Sequence, residues 1–423
     1  MKRVVPIVLG LGMMGNVWAQ DKTNTVKAPQ ITQDNSQRVL GSTADLTPKA
    51  KPRVIPGSER TKEYLHLIKD KKVGLLVNQT SVVNDTILLP DFLISNKIKV
   101  TKIFTPEHGF RGTADAGAHV ASSTDAKTGL PIVSLYGNNK KPSLEQLKDV
   151  DVVIYDLQDV GARFYTYISS LEYMLDACAE SGKEMIILDR PNPIGFMVDG
   201  PVLDTKFKSF VGMQPIPVIY GMTPGEYAKM LIGEKWIKNA AKAKLTVITC
   251  DIYDHQTAYT LPVPPSPNLK NTTAVVLYPS LCLFEGTVIS VGRGTDMPFQ
   301  QYGSPDLKAG FGYTFTPKSQ EGATNPMYKD QVCYGEFVAT TADEALKKVN
   351  MGLNLKWLMA AYKYSPNKDK FFNNFFNSLA GNATLKQQII DGKSEVEIKA
   401  SWQPGIKKFK EIRKKYLLYK DFE

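Results

Sequence analysis

The chain has 423 residues, more than one simple core accommodates, so two domains or one large composite domain is expected. Hydrophobic residues make up 43% and charged residues 22%, which are globular values. The formal charge of +10 suits contact with anionic polymers such as cell-wall material, whereas no dense Lys/Arg run with interleaved aromatics argues for nucleic acid.

Residues 1–19 have the form of an export signal: Lys2 and Arg3 are basic, Val4 to Val17 is apolar, and Val17-Trp18-Ala19 supplies the cleavage positions. Cleavage after Ala19 and a secreted, periplasmic destination are expected. The apolar run is too short to span a bilayer comfortably, so stable membrane insertion is not expected. No cysteine follows the cleavage site to carry a lipid anchor. Gln20 to Pro52 is polar and nearly free of aromatics, and reads as a flexible lead-in.

From Arg53 onward, strand and helix signals alternate. Val73 to Val77 reads as a buried strand ending at Asn78-Gln79-Thr80-Ser81, followed by a helix over Leu88 to Asn96. Val100 to Phe104 is the next strand, opening into Thr105-Pro106-Glu107-His108-Gly109-Phe110. Val150 to Tyr155 is a third, ending at Asp156-Leu157-Gln158-Asp159. Phe164, Ile168, Leu171, Leu175 and Cys178 then recur at helical spacing. Glu184 to Leu188 is a strand ending at Asp189-Arg190-Pro191-Asn192-Pro193, and Ile216 to Ile219 is read as another. Thr223 is placed to cap a helix starting at Pro224, with Glu226 at the capping-box position. This alternation predicts an α/β fold: a Rossmann-like, mostly parallel sheet with helices on both faces.

The pattern changes at Leu261-Pro262-Val263-Pro264-Pro265-Ser266-Pro267-Asn268, where prolines are too dense for a central strand. A domain boundary or rigid crossover is expected there, dividing 53–263 from 264–423. Beyond it lie Val275 to Tyr278, a Gly-rich segment from Glu285 to Gly303, a strand-like run at Gly312 to Phe315, helical patterns from Ala342 to Leu379 and a last helix over Ile406 to Leu418. No internal repeat or coiled-coil heptad is present. Cys178, Cys250, Cys282 and Cys333 are far apart in apolar surroundings and read as buried free thiols.

Four strand ends deliver polar clusters to what should be one edge of one sheet: Asn78-Gln79, Glu107-His108, Gln158-Asp159 with Arg163, and Asp189-Arg190 with Asn192. In open α/β sheets that edge is where ligands bind. Glu107 is a candidate catalytic carboxylate on position alone. His66, His119 and His255 are scattered and no H-E-x-x-H occurs, so His108 is not expected to ligate a metal. Asp156 and Asp159 read either as acid/base carboxylates or as structural groups, Asp156 capping a helix and Asp159 pairing with Arg163; the cap is favoured for Asp156. Tyr165 and Tyr167 lie so close in sequence that at most one is expected to face a cleft. Gly292-Arg293-Gly294-Thr295 lacks the spacing and lysine of a phosphate loop, but an arginine between glycines can clamp a carboxylate. Glu285 is either a site carboxylate or a partner for an arginine.

The chain carries a long ordered series of motifs. It begins with Val77-Asn78-Gln79-Thr80-Ser81, Pro106-Glu107-His108-Gly109-Phe110-Arg111-Gly112 and Asp115-Ala116-Gly117, followed by Thr128-Gly129-Leu130-Pro131 and Ser134-Leu135-Tyr136-Gly137. Asp156-Leu157-Gln158-Asp159-Val160-Gly161-Ala162-Arg163-Phe164-Tyr165-Thr166-Tyr167, Leu188-Asp189-Arg190-Pro191-Asn192-Pro193 and Asp199-Gly200-Pro201-Val202 come next. Tyr220-Gly221-Met222-Thr223, Pro265-Ser266-Pro267-Asn268, Glu285-Gly286-Thr287 and Gly292-Arg293-Gly294-Thr295 complete it. In this series the chain, from about Lys71 onward, resembles the NamZ family of bacterial exo-β-N-acetylmuramidases. Phe196-Met197 departs from it, standing where relatives more often have a second glycine.

The resemblance implies release of terminal N-acetylmuramic acid from the non-reducing end of peptidoglycan fragments, by an enzyme that needs no cofactor. It also implies a smaller C-terminal α+β domain beside the Rossmann-like one, with the site in the cleft between them and Glu107 as the catalytic glutamate. Glycoside cleavage needs a proton donor at the leaving oxygen and a second group for the oxocarbenium-like state. Glu107 is the candidate acid, tuned by His108 or Asp159; Asp159, or the substrate's own acetamido group, is the candidate second group. Arg163, Arg190 and Arg293 are the guanidiniums available for the lactyl carboxylate of muramic acid. Asn78, Gln158, Tyr165, Asn192, Asn268 and Glu285 are the other expected substrate contacts. The alternatives are a non-catalytic cell-wall sugar-binding protein and an amidase or metal-dependent hydrolase built on His108.

Overall fold

The computed structural model describes residues 53–112, 115, 117 and 122–423. The expected signal segment, the lead-in to Pro52 and His119 lie outside the described residues. Residues Pro52–Glu423 form one compact unit.

The main sheet contains β1 (Lys72–Val77), β4 (Lys99–Thr105), β5 (Ser123–Thr124), β6 (Pro131–Ser134), β7 (Val152–Asp156), β8 (Glu184–Leu188) and β9 (Lys244–Ile248). A small hairpin, β2 (Val82–Val83) and β3 (Ile87–Leu88), stands apart. The strand order in the main sheet is β5-β6-β4-β1-β7-β8-β9, and every pairing is parallel except β5 with β6 at the edge. The nearly continuous apolar runs of β1, β7 and β8 follow from burial on both faces. Val73, Leu75 and Val77 of β1, Val152 and Ile154 of β7, and Ile186 and Leu188 of β8 share one face. They pack there against Tyr64 and Ile68 of α1 (Thr61–Ile68) and Leu89 and Leu93 of α2 (Leu89–Ser95). The alternate residues Leu76, Val153, Tyr155, Met185 and Ile187 enter a larger core with α3 (Tyr167–Glu180) and α4 (Pro224–Gly233). The period-2 alternation of side chains thus puts a helical layer on each face.

Thr223 and Glu226 close a reciprocal capping box at α4 with Pro224 in its first turn, as the sequence predicts. Ile216 to Ile219 does not join the sheet. Ile219 makes only isolated bridges with Ala162 and Asp199, because Pro217 removes a ladder donor inside the run. β9 takes the place beside β8 instead.

The second half contains the antiparallel sheet β10-β12-β11, formed by Gln301–Ser304, Cys333–Phe337 and Tyr313–Phe315 respectively. Its helices are α5 (Thr272–Leu281), α6 (Ala342–Val349), α7 (Lys356–Tyr364), α8 (Phe376–Ala380), α9 (Thr384–Ile390) and α10 (Glu395–Arg413). The fold is therefore α/β with an α+β C-terminal part. Val275 to Tyr278 lies inside α5, whose N-terminus is capped by the Asn271 side chain. The last helix starts well before Ile406, at a capping box of Ser394 and Glu397, and ends at Arg413. All four cysteines are free and buried.

Asp156 is not a helix cap. Its carboxylate is buried against Arg190, with Nε 2.5 Å from Oδ1 and Nη2 2.9 Å from Oδ2. Arg190 Nη2 also donates to the Val82 carbonyl at 2.9 Å. The pair ties the ends of β7 and β8 to the segment following β1. Removing one member leaves a buried charge uncompensated, which typically costs about 3–5 kcal/mol. Asp156→Ala is therefore expected to unfold at markedly lower urea concentration than the parent chain; an unchanged midpoint would contradict this role.

Candidate active site

β4, β1, β7 and β8 lie side by side and parallel, so their four polar ends emerge on one edge. Most of those groups satisfy one another. Asn78 Oδ1 accepts from the Thr80 N–H at 2.9 Å and from its hydroxyl at 2.6 Å, and Thr80 Oγ1 accepts the Gln158 N–H at 3.0 Å. The Gln158 side-chain amide donates to the carbonyls of Asp159 at 2.9 Å and Pro191 at 2.8 Å. Asn192 Nδ2 donates to the Met222 carbonyl at 2.9 Å, and its Oδ1 accepts the Ile194 N–H at 3.0 Å. Backbone groups freed where a strand stops must find partners when they are buried, and these side chains supply them.

The arginines follow the same rule. Arg163 is buried and donates to the carbonyls of Pro201 (2.8 Å), Ile216 (2.9 Å) and Leu379 (2.8 Å), not to Asp159. Burial without a carboxylate pushes its guanidinium down to about 9. Arg190 is engaged with Asp156. Asn268 is buried too, donating to the Gly322 carbonyl at 2.7 Å. Asn78, Gln158, Arg163, Arg190, Asn192 and Asn268, read from sequence as substrate contacts, therefore sit behind the cleft and not in it. Asp159 is only 1% exposed, accepting the Gly161 N–H at 2.6 Å and the Tyr220 hydroxyl. Burial raises its carboxyl to about 6.

A cavity of about 600 Å³ opens over the ends of β4 and β6. Its lining includes Glu107, His108, Tyr136 and Lys140. It also includes Phe164, Tyr165, Tyr278 and Phe299, joined edge-to-face: Phe164 to Tyr278 at 5.4 Å, Tyr165 to Tyr278 at 5.9 Å and Tyr278 to Phe299 at 5.0 Å. An apolar wall facing a few convergent polar groups is the usual make-up of a small-molecule site.

The Pro-rich crossover closes this cavity. Its prolines have no N–H for a ladder, but their carbonyls accept. Tyr165 and Tyr167 donate to the Pro265 carbonyl at 2.8 and 3.0 Å, and Gln79 Nε2 reaches the carbonyls of Pro264 and Pro265, each at 3.1 Å. Asn78 Nδ2 in turn donates to the Tyr167 hydroxyl at 2.8 Å. Tyr165 lines the cavity while Tyr167 stands behind it, so one of the two tyrosines faces the cleft.

Glu107 follows β4 directly. Its Oε1 accepts the Gly117 N–H at 2.9 Å and its Oε2 accepts the Thr166 hydroxyl at 2.8 Å. The Tyr136 hydroxyl is hydrogen-bonded to the same carboxylate, and burial together with that neighbour pushes the phenol well above its ordinary range. His108 is buried and has φ of 70°, an uncommon left-handed backbone for a non-glycine residue that turns the chain immediately after the carboxylate. Gly112, with φ of 70°, continues the turn; a Cβ there would stand 2.2 Å from the Gln79 side chain. Across the cavity, Arg293 Nε and Nη2 lie 2.8 and 2.7 Å from Glu285 Oε1, so this guanidinium clamps the protein's own carboxylate.

Tyr136, Lys140 and Thr166 escaped the sequence reading as site residues. The signal for Tyr136 was present: β6 is a short strand opening on Pro131, and the strand-end rule applied to it leads to Leu135-Tyr136-Gly137. A larger cavity of about 720 Å³, lined by Glu172, Tyr173 and Trp236 beside α3 and α4, receives no strand end. Position at the sheet edge, not size, identifies the site. Among the described residues, no group of three or more His, Cys, Asp or Glu is arranged to hold a metal ion.

Fold and cavity together define an α/β protein with a cavity over its strand tips and a carboxylate in the lining. Residues 73–273 match the family described as Exo-beta-N-acetylmuramidase NamZ, N-terminal, and residues 276–419 match its C-terminal counterpart. The chain belongs to this NamZ family. It is 37% identical over 391 residues to the Peptidoglycan beta-N-acetylmuramidase NamZ of Bacillus subtilis (strain 168), covering 87% of this chain and 92% of that protein. A crystal structure of a DUF1343 family protein from Bacteroides fragilis NCTC 9343 superposes with a TM-score of 0.80 at 47% identity, covering 88% of this chain and all of that one. A second DUF1343 protein from the same organism gives 0.70 at 29% identity over 87% of this chain.

Asp159 gives a pH test of its buried placement. Its carboxyl is raised from 3.8 to about 6, so the folded state holds a proton that the unfolded chain releases. Its contribution to stability is present below 3.8 and is lost as pH rises through about 6. Asp159→Asn removes this loss, so its melting temperature relative to the parent chain is expected to rise between those pH values. A difference that stays flat with pH would place the Asp159 carboxyl in water.

Proposed function

We propose that this chain is an exported exo-β-N-acetylmuramidase, removing terminal N-acetylmuramic acid from the non-reducing end of peptidoglycan fragments. Family membership and the activity of the Bacillus relative support a glycoside hydrolase. The observation that carries the residue assignment is Glu107, held by Thr166, Tyr136 and the Gly117 N–H at the rim of the strand-tip cavity. No helix of the described residues is long and apolar enough to cross a membrane. Export rests on residues 1–19.

In this reading Glu107 donates its proton to the glycosidic oxygen as the bond to the anomeric carbon breaks. The aromatic wall takes the apolar face of the sugar. The second role does not fall to Asp159, which lies behind the cavity wall. Glu285 lines the cavity but is paired with Arg293. This favours the substrate's own acetamido oxygen as the group that attacks the anomeric carbon, with no protein nucleophile.

The test is hydrolysis of a chromogenic N-acetylmuramide beside the matching N-acetylglucosaminide. Cleavage of the muramide alone is expected. Glu107→Gln should lower kcat by about 10²- to 10⁴-fold, the usual contribution of a general acid, while calorimetry still detects N-acetylmuramic acid binding. A parent chain that binds the sugar but hydrolyses no muramyl glycoside would be a binding protein instead.

A further inference from the structure

Muramic acid differs from glucosamine by a lactyl ether that ends in a carboxylate, so a selective site needs a cation in the cavity that the protein has not already neutralised. Arg163 and Arg190 lie behind the cavity with every contact directed into the fold. Arg293 reaches the cavity, but its Nε and Nη2 both bind Glu285. Among the described residues, Lys140 is the remaining Lys or Arg in the lining.

Lys140 is half-buried, follows β6 and lines the cavity together with Glu107. Among the described residues no carboxylate pairs with it. Its Nζ stands 4.9 Å from the centroid of the Phe210 ring, and Phe210 also lines the cavity. A cation over an aromatic face is held in position while its charge remains available to an anion. Phe210 in turn packs 6.1 Å from the ring of Tyr136, whose hydroxyl binds Glu107. The ammonium and the candidate acid are thus linked through two rings. The next residue, Lys141, turns the other way and pairs with Asp176 at 2.7 Å and Glu180 at 2.6 Å. Of two adjacent lysines, one is neutralised and the other is left at the cavity.

We infer that Lys140 is the specificity-determining residue that binds the carboxylate of the substrate. The inference rests on the proposed muramidase reading and adds to it the group that distinguishes a muramide from a glucosaminide. Lys140 touches no reacting bond in this assignment, so it governs binding and selectivity, and proton transfer stays with Glu107.

The experiment compares the parent chain, Lys140→Met and Lys140→Arg on the chromogenic N-acetylmuramide and N-acetylglucosaminide, with calorimetry of N-acetylmuramic acid binding. A hydrogen bond to a charged group contributes enough that Lys140→Met is expected to lose about 10- to 100-fold in kcat/KM on the muramide. The loss should lie mainly in KM, with any glucosaminide activity unchanged, weaker binding of N-acetylmuramic acid and an unchanged melting temperature. Lys140→Arg should recover most of the loss. If the parent chain cleaves the muramide and Lys140→Met keeps both its KM and its substrate preference, the assignment is wrong while the proposed function stands. If the parent chain cleaves no muramide, the function fails and the assignment with it.

Discussion

One backbone carbonyl, that of Pro265, holds the site together. It accepts the hydroxyls of Tyr165 and Tyr167 and the amide of Gln79, which come from the segment entering α3 and from the end of β1. A crossover built from prolines cannot extend the sheet, so it lies across the strand tips and docks through its acceptors. That docking brings Tyr278, Glu285 and Phe299 into one lining with Glu107 and turns an open sheet edge into a cavity. The constraint reaches Glu107 itself: the amide of Gln79 that meets the crossover also abuts Gly112, where only a residue without Cβ fits.

The sheet edge divides its labour. The ends of β1, β7 and β8 are closed by networks around Asn78, Gln158, Asp156 and Arg190. Such groups are costly to leave unpaired in a buried place, and the covering half of the chain buries them. The ends of β4 and β6 are left open, and there the polar groups line the cavity. Glu107, Tyr136 and Thr166 come together beside those open tips, on rigid supports supplied by a parallel sheet whose other tips are largely satisfied; among the described residues Gln79 Oε1, Gln158 Oε1 and Asp159 Oδ1 are buried there without a partner. A fixed frame of this kind holds the Glu107 carboxylate in one orientation.

Much of the fold was legible in the chain because its signals are local. Apolar runs in β1, β4, β7 and β8, the helical spacing into α3 and the capping box of α4 are each written within a few residues. The errors came where distant partners decide. Ile216 to Ile219 has strand composition, yet Pro217 and the competition of β9 exclude it from the sheet. β6 is too short to announce itself, and Tyr136 and Lys140 went unseen with it.

The amino-acid order by itself determined the parallel sheet, its polar edge, the proline crossover and the placement of Glu107 at a strand exit, because periodicity, turn residues and missing N–H donors act over short range. Which polar residues meet a ligand was decided only in three dimensions. Arg163, Arg190 and Arg293 look alike in a sequence, but one is surrounded by carbonyls, one by a buried aspartate and one by a cavity glutamate. A charged side chain is free to act on a ligand only where the folded chain has not already neutralised it, and that depends on neighbours from eight to more than two hundred positions away.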